Sequence, residues 1–246
     1  MMTIELIVLG VAVGALSGFF GIGGGTVSVP LLMILGFGIK EAIAISVMQM
    51  VFGSLMAAWM HHKKKTYVIS DIKYFGFGGL VGAMLGAVLV KVLDEALLEW
   101  SFLAIVAFTL GRFVMSSPEP TRPEIINRPL YVAIGSFIGL FSGMLGVGGA
   151  ILMTPILVSF MGFDLKKASA IGLFFVIFTS ASAFVTLGLL GMLNWQAGLI
   201  MAFSSLLGIG IGIYFVHKIQ LKHYKQVLVA FYSIIFALTA YKIIVG

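Results

Sequence analysis

Residues 17–30 read SGFFGIGGGTVSVP, and residues 142–155 read SGMLGVGGAILMTP. The second stretch follows the first at a shift of 125 and keeps the punctuating residues in register. Ser17, Gly18, Gly21, Gly23, Gly24 and Pro30 fall on Ser142, Gly143, Gly146, Gly148, Gly149 and Pro155. Upstream, Gly10 and Gly14 fall on Gly135 and Gly139. Downstream, a shift of 126 sets Lys40, Ala42 and Ala44 on Lys166, Ala168 and Ala170, and Gly82 and Gly86 on Gly208 and Gly212. Chance likeness between apolar chains yields scattered Leu and Val matches rather than aligned Gly, Ser and Pro. The chain is an internal duplication.

The composition says where it folds. Of 246 residues, 61% are apolar and 10% charged, against about 45–50% and about 25% in a soluble domain, and mean hydropathy is +1.16. A soluble enzyme, a disordered tail and a water-soluble nucleic-acid binder are excluded. The net charge of +6 is then a matter of membrane topology rather than of nucleic acid. There is no cysteine, hence no disulfide, thiolate or cysteine metal site. The leading residues MMTIE lack a basic n-region and are read as structure.

Apolar segments run over 4–20, 26–37, 42–60, 72–90 and 96–115, then 129–145, 150–161, 168–189, 195–216 and 224–245. Between the sets lies SSPEPTRPEIINR, with three prolines that discourage helix continuation. The expected architecture is an all-α polytopic membrane protein: repeat 1–115, cytoplasmic linker 116–128, repeat 129–246. A span needs about 20 apolar residues, so the short second segment of each set predicts a hairpin with the first, turning back partway. Two tilted full spans are the alternative.

Five segments per set is an odd number, which forces the halves into opposite orientations. Cytoplasmic loops carry the excess of Lys and Arg. With residues 63–65 inside, Lys63, Lys64, Lys65, Lys73, Arg112, Arg122, Arg128, Lys166, Lys167, Lys218, Lys222 and Lys225 fall inside, and only Lys40, Lys91 and Lys242 outside. The uncharged 188–194 connection falls outside while its mate HHKKK falls inside. An inverted repeat with both termini outside is expected.

Inverted repeats with broken helices place substrate at the repeat interface. The breaks here are 21–25 and 146–150, each opening a short helix whose first N–H groups lack partners and favour an anion. The expected substrate-binding set is Ser17, Gly21, Gly23, Gly24, Gly25 and Thr26 with Ser142, Gly146, Gly148, Gly149 and Ala150, plus Gln49, the most polar side chain within a span. Gln49 either lines the path or bonds across helices, and Ser46, Ser54, Thr179, Ser180 and Ser182 are equally open. The glycines at spacing four (Gly10, Gly14, Gly78, Gly82, Gly86) are read as helix packing. No preceding strand or following acid supports a dinucleotide fold. All nine acids lie at helix ends or in loops, which removes acid–base pairs at depth. No catalytic residue, metal or cofactor is expected.

GALSGFFGIGGGTVSVP, its echo GLFSGMLGVGGAILMTP, and GMLNW before the ninth segment resemble the TauE/SafE family of sulfite-exporter-like permeases. The resemblance covers nearly the whole chain. It implies that Gly21, Gly23, Gly24 and Pro30 and their mates Gly146, Gly148, Gly149 and Pro155 carry the family motif, while Ala150 departs from Gly25. It further implies a plasma-membrane carrier of a small sulfur-containing anion such as sulfite, thiosulfate or a sulfonate, with a gated anion channel as the alternative. The bilayer, the anion and a possible homo-oligomer are the expected partners, with no nucleic acid.

Overall fold

A computed structural model describes residues 2–20, 23–62, 72–115, 123–163, 165–216 and 221–245. These form ten helices: α1 Met2–Phe20, α2 Gly25–Ile34, α3 Ile39–His62, α4 Ile72–Val92, α5 Glu95–Met115, α6 Arg128–Leu145, α7 Ala150–Met161, α8 Leu165–Leu189, α9 Trp195–Val216 and α10 Leu221–Val245. No strand occurs among the described residues. Six helices (α1, α3, α4, α6, α8, α9) contain stretches long and apolar enough to cross a membrane. The chain is a multi-pass membrane protein.

Polar residues mark the helix starts. Asn127 caps α6 by accepting the Leu130 N–H at 3.2 Å, with proline in the first turn. Asn194, the polar residue of GMLNW, caps α9 by accepting the Ala197 N–H at 3.0 Å. The hairpin expectation is refined in one respect. With 19 and 18 residues, α1 and α6 extend about 28 Å and 27 Å and are long enough to cross alone. With 10 and 12 residues, α2 and α7 are not.

The two sets are interleaved. α1 lies along α9, and α4 along α6. In both pairs glycine supplies the contact. A Cβ on Gly78, Gly82 or Gly86 of α4 would fall on the backbone of Val132, Ser136 or Leu140 of α6, and one on Gly14 or Gly18 of α1 would fall on Ser205 or Ile209 of α9. The partner helices return the contact: Gly135, Gly139 and Gly143 meet Phe75, Gly79 and Ala83, while Gly208 and Gly212 meet Val11 and Ala15. Backbones at this separation gain dispersion contacts that no larger residue permits. α3 and α8 pack against each other and against these pairs.

The polar residues sort to two ends. At one, Asn194 donates to Glu41 at 2.7 Å, and Lys40 reaches the Lys91 carbonyl at 3.5 Å. The start of α3 therefore sits beside the connection that follows α8. At the other, Lys167 pairs with Glu124 at 2.6 Å, and Arg128 and Lys73 lie over the Tyr74 ring. Here Phe75 stacks on Tyr131 (centroids 4.5 Å apart), whose hydroxyl donates to the Ile125 carbonyl at 2.9 Å. Of the basic residues assigned to opposite sides, Lys40 and Lys91 share the first end, and Lys73, Arg128 and Lys167 the second. Residues 63–65, Arg122 and Lys218 fall outside the described residues.

Gly208 and Gly210 provide an internal control for the packing account. A Cβ on Gly208 falls on the Val11 carbonyl, whereas one on Gly210, two residues along, meets nothing within 4 Å. Gly208→Ala is expected to cost about 1–3 kcal/mol by overpacking, and Gly210→Ala to cost nothing, because alanine is the better helix former. Thermal unfolding of the two variants in detergent checks this.

Candidate functional site

Both breaks are made by consecutive residues in left-handed conformations that side chains resist. Gly23 and Gly24 have φ 81° and 82°, and Gly148 and Gly149 φ 73° and 78°. Gly24 and Gly149 are the N-cap residues of α2 and α7, and no side chain caps either helix. Among the described residues the N–H groups of Gly25 and Thr26 and of Ala150 and Ile151 find no backbone acceptor, so each first turn points them at whatever faces the break. Such an end carries about half a positive charge.

The two breaks touch. A Cβ on Gly25 would fall on the Gly146 carbonyl oxygen, and it would also lie 2.6 Å from Met50 Sδ. Gly25 is thus glycine because the other break is packed on it. The same Gly146 carbonyl accepts from Ser46 Oγ of α3 at 2.8 Å, and the Gly148 carbonyl accepts from Thr179 Oγ1 of α8 at 3.1 Å. These bonds fix the second break between the two central helices. Ala150 stands opposite Gly25 in the repeat, and its Cβ lies 3.4 Å from the Cβ position of Gly172, the residue opposite Ser46. The exchange of Gly25 for Ala150 is matched by an exchange of Ser46 for Gly172.

The surroundings of the two helix ends differ in chemistry. Over α2, the position of a Gly24 Cβ lies 2.9 Å from Gln49 Oε1, 3.0 Å from Gln49 Nε2 and 3.2 Å from Val13. Ser28 Oγ lies 3.1 Å from the Gly24 carbonyl and 3.3 Å from Gln49 Oε1, able to donate to either. Over α7, a Gly149 Cβ would lie 2.6 Å from the Phe175 ring and 3.2 Å from Ile138. Phe175 is the residue 126 positions after Gln49.

Among the described residues, Gln49 Nε2 and Thr26 Oγ1 are buried side-chain atoms with no hydrogen-bond partner, and both side chains are fully enclosed. A buried donor left unsatisfied costs about 1–3 kcal/mol. Two of them at one helix end, beside its free N–H groups, form a concentration of donors without acceptors.

Of the residues expected to bind substrate, Gly23, Gly24, Gly25, Thr26, Gln49, Gly146, Gly148, Gly149 and Ala150 lie in or against the two breaks. Ser17 and Ser142 are buried in the last turns of α1 and α6, and the Ser142 carbonyl accepts the Gly146 N–H at 2.9 Å. Gly21 falls outside the described residues. The open hydroxyls now separate. Ser46 and Thr179 reach the second break, Ser54 and Ser180 bond back to their own helices, and Ser182 donates to the Leu80 carbonyl of α4 at 2.6 Å. The sequence reading missed Phe175, although the 126 shift that aligned the neighbouring helices already sets it opposite Gln49.

Comparison with known proteins agrees with a multi-pass membrane protein. The family model described as Sulfite exporter TauE/SafE matches residues 6–239. A probable membrane transporter protein of Haemophilus influenzae is 25% identical over 194 residues, covering 77% of this chain and 76% of its own. The probable membrane transporter protein YunE of Bacillus subtilis is 25% identical over 244 residues (88% and 89%). One of Methanocaldococcus jannaschii is 26% identical over 243 residues (91% and 90%). No solved structure matches the chain. With the family model covering nearly all of the sequence, the chain belongs to the sulfite exporter TauE/SafE family of membrane transporters.

Proposed function

We propose that this protein carries a small sulfur-containing anion, such as sulfite, thiosulfate or a sulfonate, across the plasma membrane. The observation that carries the reading is a pair of uncapped, buried helix N-termini at left-handed glycines, in breaks that touch where Gly25 packs on the Gly146 carbonyl. Both ends offer backbone N–H groups and positive dipole ends, the arrangement that holds an anion without a formal positive charge. Ser17, Gly21, Gly23, Gly24, Gly25, Thr26 and Gln49, with Ser142, Gly146, Gly148, Gly149 and Ala150, make up the proposed site. The family assignment supports transport, and its description names sulfite.

The two sets, 1–115 and 129–246, are read as halves inserted in opposite orientation, joined through the 116–128 linker in the cytoplasm. The exchange of partners between sets, α1 on α9 and α6 on α4, supports this. So does the placement of the α3 start beside the connection after α8. The chain has no cysteine, so Lys64→Cys and Gly191→Cys can be labelled cleanly in intact cells. Labelling from opposite sides is expected; labelling from one side contradicts the inverted arrangement.

The mode of energy coupling follows from the groups present. Every side chain named at the breaks is neutral, so the anion crosses with its charge uncancelled. One charge moving through 100 mV is worth about 2.3 kcal/mol, which drives a monovalent anion outward about 50-fold at equilibrium from an inside-negative cell. Export then requires no proton or sodium partner. In proteoliposomes, methanesulfonate flux should accelerate when valinomycin and potassium make the loaded interior negative, and Gly24→Leu should abolish it. Saturable counterflow distinguishes a carrier from a channel. Flux that ignores the potential and follows an imposed pH gradient contradicts the mechanism.

A further inference from the structure

The duplication matches the two helix ends in backbone but not in side chains. At α2 the residues are Thr26, Ser28 and Gln49; their repeat mates at α7 are Ile151, Met153 and Phe175. Each hydrogen-bonding side chain of the first set is answered by an apolar one in the second. The Phe175 ring lies 2.6 Å from where a Gly149 Cβ would be, covering the α7 N-cap. At α2 the corresponding cover is the Gln49 amide, whose Nε2 is enclosed and unpartnered, as is Thr26 Oγ1. The unsatisfied side-chain donors of the two breaks are thus both on one side.

Resting on the reading of the chain as an anion transporter, we propose that it holds one substrate anion, at the N-terminus of α2, with Gln49 and Thr26 as its specificity-determining donors. Phe175 closes the α7 end and leaves that half a structural echo. The ligand is an oxyanion with a single negative charge, of the sulfonate or hydrogensulfite type. Gln49 Nε2, Thr26 Oγ1 and the N–H groups of Gly25 and Thr26 are four donors for its oxygens. Their supply of positive charge is the half-charge of one helix end, and the side chains placed at its first turn among the described residues (Val13, Ser28, Gln49, Met50) are neutral. A second negative charge would be buried without compensation. Gln49 Oε1 remains an acceptor, so a protonated oxygen on the ligand also finds a partner.

The test is calorimetric titration of the purified full chain in nanodiscs with methanesulfonate, hydrogensulfite and sulfate. One methanesulfonate per chain is expected, bound at least tenfold more tightly than sulfate. Thr26→Val, which keeps the shape and removes the hydroxyl, and Gln49→Leu should each weaken methanesulfonate about tenfold or more. Melting of the anion-free variants reports whether each is folded. If Gln49→Leu does not fold, Gln49→Glu decides: the buried carboxylate should repel the anion at neutral pH and readmit it when protonated in acid. Two anions per chain, sulfate bound as tightly as methanesulfonate, or unchanged affinity in folded Thr26→Val and Gln49 variants would overturn the proposal while leaving anion transport standing. If none of the three anions binds the wild-type chain, the proposal and the transport reading both fall.

Discussion

Backbone N–H groups inside a bilayer have no water to bond, and a helix that begins there leaves its first turn unsatisfied. This chain begins two helices in its buried interior. Gly24 and Gly149 turn left-handed, end any approach from α1 or α6, and start α2 and α7 without a side-chain cap. Such ends are tolerable only where protein encloses them, and the remaining helices supply the enclosure. α3 and α8 lie across the breaks, with Ser46 and Thr179 holding the exposed carbonyls of the second. Gln49 and Phe175 cover the two N-caps.

Glycine does two separate jobs in this architecture. In the breaks it permits positive φ; in α1, α4, α6 and α9 it permits contact. The second use makes the first possible. Because α1 lies backbone to backbone on α9, and α4 on α6, the segments leading into each break are clamped by the opposite set. Each break is also buried against the other set: Gly23 meets Val176, and Gly148 meets Met50.

Much of this was legible in the residues. The Gly, Ser and Pro register between 17–30 and 142–155 located both breaks, and spacing four marked the packing faces. The segments begun at 129 and 195 start within one residue of α6 and α9, where Asn127 and Asn194 supply the caps. Two things were not legible. Gly25 reads as room for a ligand, yet its space belongs to the Gly146 carbonyl, a contact between residues 121 positions apart. That Gln49 and its 126-shift mate Phe175 each face a break also escaped, because polar and aromatic residues inside a span carry no periodicity that says which of them does. Only the packing of α3 and α8 reveals it.

Everything proposed for the two breaks depends on where the anion sits. The most direct measurement is a crystal structure of the chain soaked with selenite, located by the anomalous scattering of selenium. The account predicts a single peak within hydrogen-bonding reach of the α2 first turn, Thr26 and Gln49, absent from Gly24→Leu crystals. A peak at the basic end near Lys73, Arg128 and Lys167, with the breaks empty at a concentration that saturates transport, would contradict it.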